Sequence, residues 1–125
     1  MIRVFLDDMR RCPEGFVLAK DAAECILLLE QCEVEVLSLD YDLGPGQPTG
    51  LEVVMHMVRK RLFPREIYLH TSSASGRVSM FNLLYAHKPE GTVLYNHPIP
   101  PEKAAEWILQ RKRESENGNK DTDGS

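Results

Sequence analysis

Short runs of apolar and β-branched residues alternate along the chain with stretches in which apolar residues recur at helical spacing. Each apolar run is too short for a helix and is bounded by charged or turn-forming residues, which is typical of buried strands. The pattern therefore predicts five strands, at residues 2–6, 16–19, 34–39, 66–69 and 92–95.

Four helices are predicted between and after these strands. Asp21 followed by Glu24, and Thr49 followed by Glu52, are N-terminal capping pairs, while Pro64 stops the second helix. The third follows a Ser/Gly segment at 72–76, and the fourth begins at Pro100-Pro101. The predicted inward residues of the last three helices are Leu51, Val54, Met55, Val58 and Leu62, then Val78, Phe81 and Leu84 or Tyr85, then Ala104, Trp107, Ile108 and Arg111.

Alternating strands and helices favour an α/β fold with a parallel sheet covered on both faces. We expect a flavodoxin-like three-layer sandwich with strand order 2-1-3-4-5. Only residues 7–15 separate the first two strands, whereas a parallel crossover usually needs about 12 residues or more. Either the crossover is a bare loop without a helix or the second strand is not parallel to the first. We favour the loop, because nine extended residues reach about 30 Å.

Composition limits the possible functions. The 125 residues suit one domain, predicted at 1–112, followed by a polar tail at 113–125 that we expect to be disordered. The net charge is −4 with no clustered basic face, so a nucleic-acid duplex is not an expected partner, while protein partners are left open. No apolar run approaches the ~20 residues that span a bilayer, and no signal peptide is evident. We therefore expect a cytoplasmic protein without a membrane partner.

Acidic residues follow two of the predicted strands. Asp7 and Asp8 end the first strand, and Asp40 and Asp42 end the third. In the expected strand order these strands are neighbours, so the two pairs face each other across ~5 Å at the edge where ligands bind. Carboxylates at this short distance repel each other unless a cation lies between them. The alternative is that each aspartate only caps a loop, but two adjacent pairs favour a site for Mg²⁺ or Mn²⁺.

Anion-binding groups are expected opposite the carboxylates. The segment containing Ser72, Ser75 and Gly76 leads into a helix, whose N-terminal amides can bind phosphate. Arg10 and Arg77 can pair with phosphate through their guanidinium groups. His70 ends the fourth strand and is the best candidate for a general acid or base. The alternatives are that the arginines are only surface charges and that His70 is a buried structural histidine. His97, between Asn96 and Pro98, is left with two alternatives, inside the pocket or outside it.

These residues resemble those of response-regulator receiver domains. In this resemblance Asp7 and Asp8 match the Mg²⁺-binding pair, Asp40 the phosphoacceptor, and Thr71 or Ser72 the switch hydroxyl. Where a receiver carries Lys before Pro, this chain has Asn96-His97-Pro98, and the first helix is missing.

A closer resemblance is to the cyclic-phosphate processing receiver-like family. Five elements match in order, although Ser73-Ala74-Ser75 stands where the family usually has Asn. The matching elements are Leu6-Asp7-Asp8-Met9-Arg10, Ser38-Leu39-Asp40-Tyr41-Asp42-Leu43-Gly44, Thr49-Gly50, His70-Thr71-Ser72 and Gly76-Arg77-Val78-Ser79-Met80.

The resemblance implies a metal-dependent phosphoesterase that binds and processes cyclic-phosphate nucleotides. Asp7, Asp8 and Asp40 would hold the cation, Asp42 would orient water, and His70 would protonate the leaving oxygen. Arg10 and Arg77 would neutralise charge on the phosphate, with Ser72, Ser75 and Gly76 beside it. The alternatives are a non-enzymatic receiver-like module, signalling through phosphorylated Asp40 or only binding a ligand, and an interaction protein that retains only the fold.

Overall fold

A computed structural model describes the backbone of residues 1–123 and the side chains of residues 1–117. Five parallel strands form one sheet in the order β2-β1-β3-β4-β5, as predicted. The elements in chain order are β1 (Ile2–Leu6), β2 (Val17–Ala19), α1 (Ala22–Gln31), β3 (Val34–Leu39), α2 (Gly50–Lys60), β4 (Glu66–Leu69), α3 (Ala74–His87), β5 (Val93–Tyr95) and α4 (Pro101–Asp123).

The connection between β1 and β2 is a loop with no helix in it, residues 7–16. The two strands are nevertheless parallel, with Val4 opposite Val17 and Leu6 opposite Ala19. The prediction of a bare crossover is therefore confirmed. The consequence is that one face of the sheet lacks a helix that doubly wound folds usually place there.

Two apolar cores lie on opposite faces of the sheet. The larger core joins the strands to α1, α2 and α3, through residues such as Leu37, Leu39, Val53 and Met80. The smaller core contains Val36, Tyr68 and Trp107, the last from α4. Because successive strand residues point to opposite faces, Val36 and Leu37 belong to different cores. Three helices thus cover one face and α4 covers the other, giving the three layers predicted.

Side-chain caps begin three of the helices. Asp21 accepts a hydrogen bond from the Glu24 amide at 2.8 Å, and Thr49 accepts one from the Leu51 amide at 3.3 Å, as the capping pairs predict. Ser73 caps α3 by accepting from the Gly76 amide at 3.1 Å. The predicted Ser/Gly loop is therefore shorter than expected, because Ser75 and Gly76 already belong to the first turn of α3.

The inward faces of α2 and α3 differ from the prediction. On α2 the structure buries Val53, Val54 and Met57, while Met55 is exposed. On α3 Val78 and Tyr85 are 55% and 67% exposed. Leu84, one of the two alternatives predicted, is buried, and so is Met80, which was not predicted. Both helices carry apolar residues on more than one side. Spacing alone therefore predicted Val54 and Leu84 correctly but Met55 and Val78 wrongly, because packing against the sheet decides which side is buried.

Helix α4 continues through Asp123, beyond the predicted domain end at residue 112. Residues 124 and 125 lie outside the described part of the chain, and the domain boundary at residue 112 and the disorder of the tail stay predictions. Side chains 113–117 are all exposed, which agrees with the tail's lack of apolar residues. No described helix is long and apolar enough to span a membrane.

Candidate functional site: an acidic pocket at the carboxyl edge of the sheet

Strand register brings Asp7, Asp40 and His70 side by side at the carboxyl ends of β1, β3 and β4. The Asp40 amide donates to the Leu6 carbonyl at 3.1 Å, and the His70 amide donates to the Leu39 carbonyl at 3.0 Å. Ladder pairing therefore continues for one residue beyond the strands and aligns all three. One ligand atom from each side chain lies within 4.8 Å of the others. The predicted meeting of the strand ends is confirmed for these residues.

Asp7 is buried and accepts several hydrogen bonds. The amides of Met9 and Arg10 each donate to its Oδ1 at 2.9 Å, which bends the chain back over the strand end. Burial favours the neutral carboxyl, but these amides and the side chains of Arg10 and His70 favour the anion more strongly. The pKa of Asp7 is consequently lowered from 3.8 to about 2, so this carboxylate is charged at any physiological pH.

Arg10 joins the two buried carboxylates. Its Nη1 donates to Asp7 Oδ2 at 2.9 Å and to Asp40 Oδ2 at 3.2 Å. The hydrogen bond to Asp7 raises the pKa of Arg10, although partial burial opposes the shift. Its side chain is 45% exposed, so the guanidinium reaches the carboxylates from the solvent side. The structure thus places Arg10 on the carboxylates, in the position where the sequence predicts a metal ion.

His70 is buried with both ring nitrogens occupied. Nε2 lies 2.9 Å from Asp7 Oδ2 and Nδ1 lies 2.6 Å from Ser38 Oγ. Burial lowers the pKa of His70 despite the neighbouring Asp7, so the ring is neutral at pH 7. An ionised carboxylate can only accept hydrogen bonds. The neutral ring therefore donates a hydrogen bond from Nε2 to Asp7, and its Nδ1 accepts one from the Ser38 hydroxyl. A substrate has to separate His70 from Asp7 before His70 can act on it.

An open cavity of about 520 Å³, here called the acidic pocket, lies beside this network. All four predicted aspartates line it, so their convergence is confirmed. Asp8 and Asp42 are exposed, in contrast to buried Asp7 and Asp40. The residues that line the acidic pocket are Asp7, Asp8, Met9, Arg10, Asp40, Asp42, Gly44, Pro45 and Ser72.

The loop after β3 shapes the rim of the acidic pocket. The Gly44 amide donates to Asp42 Oδ1 at 3.1 Å. Gly44 has φ +111°, a conformation that favours glycine, and an added Cβ would lie 3.4 Å from Asp8 Oδ2. The turn at Gly44 therefore holds Asp42 and Asp8 at the same rim.

Several predicted phosphate-binding residues lie elsewhere. Ser72 lines the acidic pocket, as predicted, whereas Ser75, Gly76 and Arg77 are not among its lining residues. The Gly76 amide is bound by Ser73 Oγ, and the Tyr41 ring packs so closely on Gly76 that a Cβ there would lie 2.2 Å from it. Gly76 therefore serves close packing between α3 and the loop after β3. His97 is exposed, and its Nδ1 lies 2.7 Å from the Pro98 carbonyl oxygen.

Two residues near His70 were missed as functional candidates. Ser38 sits within the apolar β3 and its hydroxyl meets the His70 ring, while Phe5 stacks on that ring with centroids 4.3 Å apart and planes 5° from parallel. The signal for Ser38 is a lone hydroxyl two positions before Asp40, on the same face of the strand. Phe5 gives no such signal, because an apolar residue in a buried strand is expected.

The carboxylates fit a divalent cation of the magnesium type. Asp7 and Asp40 are buried neighbours that need positive charge, and Asp8 and Asp42 add carboxylate oxygens in the same pocket. His70 is a third possible ligand in place of Asp8, and an imidazole ligand would favour Mn²⁺ over Mg²⁺. In either case the guanidinium of Arg10 has to leave the oxygens that a cation would use.

Comparison with solved structures finds response regulators. The response regulator domain of Thermotoga maritima CheB is similar at 18% identity and a TM-score of 0.48, over 93% of this chain and 96% of that one. The MaeR response regulator bound to beryllium trifluoride is similar at 18% identity and a TM-score of 0.46, over 92% of this chain and 99% of that one. No curated protein matches the chain.

A family comparison is more specific. The model of the cyclic-phosphate processing receiver domain matches residues 2–86, about two thirds of the chain. The matched part contains β1 to β4, and with them Asp7, Arg10, Asp40 and His70. The chain therefore belongs to the cyclic-phosphate processing receiver domain family.

Proposed function

We propose that the chain is a metal-dependent phosphoesterase that hydrolyses a cyclic phosphate ester of a nucleotide in the acidic pocket. The observation that carries the proposal is the cluster of Arg10, Asp7, Asp40 and His70, which joins two buried carboxylates, a guanidinium and an imidazole beside an open cavity. The family's association with cyclic phosphates supports the choice of substrate.

Asp7, Asp8 and Asp40 would hold the Mg²⁺ or Mn²⁺ ion. When bound, the cation would polarise a phosphoryl oxygen of the substrate and neutralise the charge that develops on it. Arg10 adds a second positive charge at the same place and can bind a phosphate oxygen once it has left Asp7 and Asp40. Arg10 is thus better placed than Arg77 to bind the substrate.

Hydrolysis requires one proton to be removed and another to be supplied. Asp42, exposed at the rim, orients the attacking water and accepts its proton as the new P–O bond forms. The P–O bond to one ring oxygen of the cyclic ester then breaks, and His70 protonates that oxygen from its imidazolium form, which is a minor species at pH 7 because burial lowers the pKa of the ring. The ring is neutral again after it has given up this proton. The product is a phosphate monoester with a free hydroxyl next to it. Phe5 and Ser38 act through His70, since they hold the orientation of its ring.

The test is incubation of the protein with 2′,3′-cyclic nucleotides and Mg²⁺ or Mn²⁺, followed by ³¹P NMR. We expect monoester product, a loss of at least about 100-fold in kcat for Asp42→Asn and His70→Ala, and full activity for Glu90→Gln, an exposed residue far along the chain. The mechanism would be contradicted if no product formed with Mg²⁺ and none with Mn²⁺, or if His70→Ala turned over the substrate as fast as the wild type.

The second candidate is a receiver-like module in which Asp40 accepts a phosphoryl group. It is favoured by the position of Asp40 at the carboxyl end of the central strand, in a family that its description names a receiver domain. Acetyl phosphate with Mg²⁺ should then add the mass of one phosphate to the wild type and not to Asp40→Asn. Stable labelling of Asp40 together with no cyclic esterase activity would favour this candidate over the first.

A further inference from the structure

A second cavity lies on the other side of His70, between the sheet and α4. Its volume is about 250 Å³. One wall is Phe5 on β1, and the opposite wall is Ala104 on α4 with the preceding residues Pro98 and Ile99. Pro13, from the loop that connects β1 to β2, closes one side. Apolar side chains thus form most of its surface, in contrast to the acidic pocket.

The cavity results from two local features of the chain. The crossover 7–16 contains no helix, so α4 alone covers this face of the sheet. Ser38 is the residue of β3 that faces the cavity, paired with Phe5 on one side and Tyr68 on the other. Its small side chain lets the His70 ring lie across β3 and stack on Phe5. A larger residue at position 38 would fill this space.

The two cavities meet at Arg10, which lines both of them. His70 also connects them, because its ring lines the apolar cavity while its Nε2 is bound to Asp7 of the acidic pocket. A ligand that lies across Arg10 would therefore place an anionic group among the carboxylates and cation, and an apolar group against Phe5 and Ala104.

The size of the apolar cavity limits what that group can be. Pockets that enclose a whole drug-sized ligand measure roughly 300–1,000 Å³, and this cavity of about 250 Å³ is slightly smaller. It holds one planar ring system rather than a complete nucleotide. The Ser38 hydroxyl donates its proton to His70, but its oxygen can still accept a hydrogen bond at the inner end of the cavity, and Arg10 offers a cation at its mouth. Heteroaromatic rings use both kinds of group, and a guanidinium also stacks on them.

We propose that this cavity binds the base of a nucleotide whose phosphate occupies the acidic pocket. The inference rests on the proposed function and extends it, because it makes the base, and not only the cyclic phosphate, a determinant of binding. An apolar wall without further directed polar groups discriminates weakly between bases, so purine and pyrimidine substrates should differ through size rather than through base-specific hydrogen bonds.

Ala104→Leu tests the proposal by filling the cavity from α4. Adenosine 3′-phosphate, adenosine and inorganic phosphate are titrated into the protein with Mg²⁺ by calorimetry. We expect the variant to bind both adenosine compounds at least about tenfold more weakly than the wild type does, and inorganic phosphate equally well. Ala105→Leu is the matched control, since Ala105 is the next residue on α4 and is exposed; it should behave as the wild type does.

The outcomes separate this proposal from the proposed function. Equal binding of adenosine 3′-phosphate by the wild type and Ala104→Leu would overturn the base site and leave the phosphoesterase intact. Adenosine binding that depends on Ala104, in a protein that binds no inorganic phosphate and turns over no cyclic nucleotide, would support base binding in this cavity, overturn its coupling to a phosphate in the acidic pocket and reject the esterase. If Ala104→Leu does not fold, Ile99→Phe fills the same cavity from the loop before α4 and has the same expected results.

Discussion

At the scale of single residues, Arg10 has two possible partners. In the structure its guanidinium neutralises Asp7 and Asp40, and two adjacent buried carboxylates without a nearby positive charge would be unstable. A divalent cation can provide the same positive charge at the same oxygens. Binding of the cation would therefore release Arg10, and the released guanidinium would be available to a phosphate in the acidic pocket.

Replacing Arg10 should consequently change two affinities in opposite directions. We expect Arg10→Gln to bind Mn²⁺ about tenfold more tightly, because the competing guanidinium is gone, and to bind inorganic phosphate about tenfold more weakly, each change being about 1.4 kcal/mol. Calorimetry measures both affinities without relying on catalysis.

Arg11→Gln is the control for this exchange. Arg11 is the next residue along the loop and is exposed, so its substitution removes the same charge without touching the carboxylates. Weaker Mn²⁺ binding by Arg10→Gln, or equal changes in the two variants, would show that Arg10 does not compete with the cation.

At the scale of elements, the start of α2 determines where Asp40 lies. The Gly50 amide donates to the Tyr41 carbonyl at 2.8 Å, and Thr49 caps the helix. An added Cβ on Gly50 would lie 2.0 Å from the Asp40 carbonyl oxygen and 3.1 Å from Met80 Sδ. No side chain fits between helix and strand end, so glycine at position 50 is what lets α2 begin directly against the site.

Gly50→Ala should therefore destabilise the fold and disturb the site together. We expect the free energy of unfolding to fall by about 1–3 kcal/mol, the usual cost of overpacking, because the methyl group meets backbone that cannot rotate away. Urea denaturation measures the loss. Gly91→Ala is the control, since a Cβ at Gly91 has no neighbour within 4 Å, and its effect should stay within about 0.5 kcal/mol. Equal stability of the two variants would rule out this close approach.

At the scale of the whole molecule, α4 has two parts with different roles. Its first part carries Trp107, which packs with Tyr68 and Val36 and covers the sheet face opposite α1, α2 and α3. Side chains 113–117 are exposed. The domain should therefore be complete at residue 112, as the polar composition of the tail predicts, even though the helix extends further.

Truncation after Lys112 should leave the melting temperature within about 4 °C of the full chain, the shift that about 1 kcal/mol produces in a domain of this size. Truncation after Ile99 removes Trp107 from its core and exposes the sheet face that α4 covers, so that variant should not fold cooperatively. Circular dichroism during heating measures both. A large loss of stability in the variant truncated after Lys112 would show that the end of α4 is part of the domain.

Much of the fold could be predicted because its signals are local. Strands β1, β3 and β4 match the predicted bounds, since each is an apolar run with sharp polar ends. The caps at Asp21 and Thr49 depend on residues two or three positions apart. The faces of α2 and α3 could not be predicted as well, because which apolar side is buried depends on the sheet beneath and not on the helix itself.

The sequence by itself determined that carboxylates and a histidine end neighbouring strands. The strand ends follow from where the apolar runs stop, and the strand order follows from the alternation of strands and helices, which favours a flavodoxin-like fold. Only the tertiary structure decided how those groups pair. The Arg10–Asp40, Ser38–His70 and Asp7–His70 contacts join residues 30, 32 and 63 positions apart, so their partners depend on register and side-chain direction across three strands. The same long-range packing placed Arg10 on the carboxylates and left a cavity between α4 and the sheet.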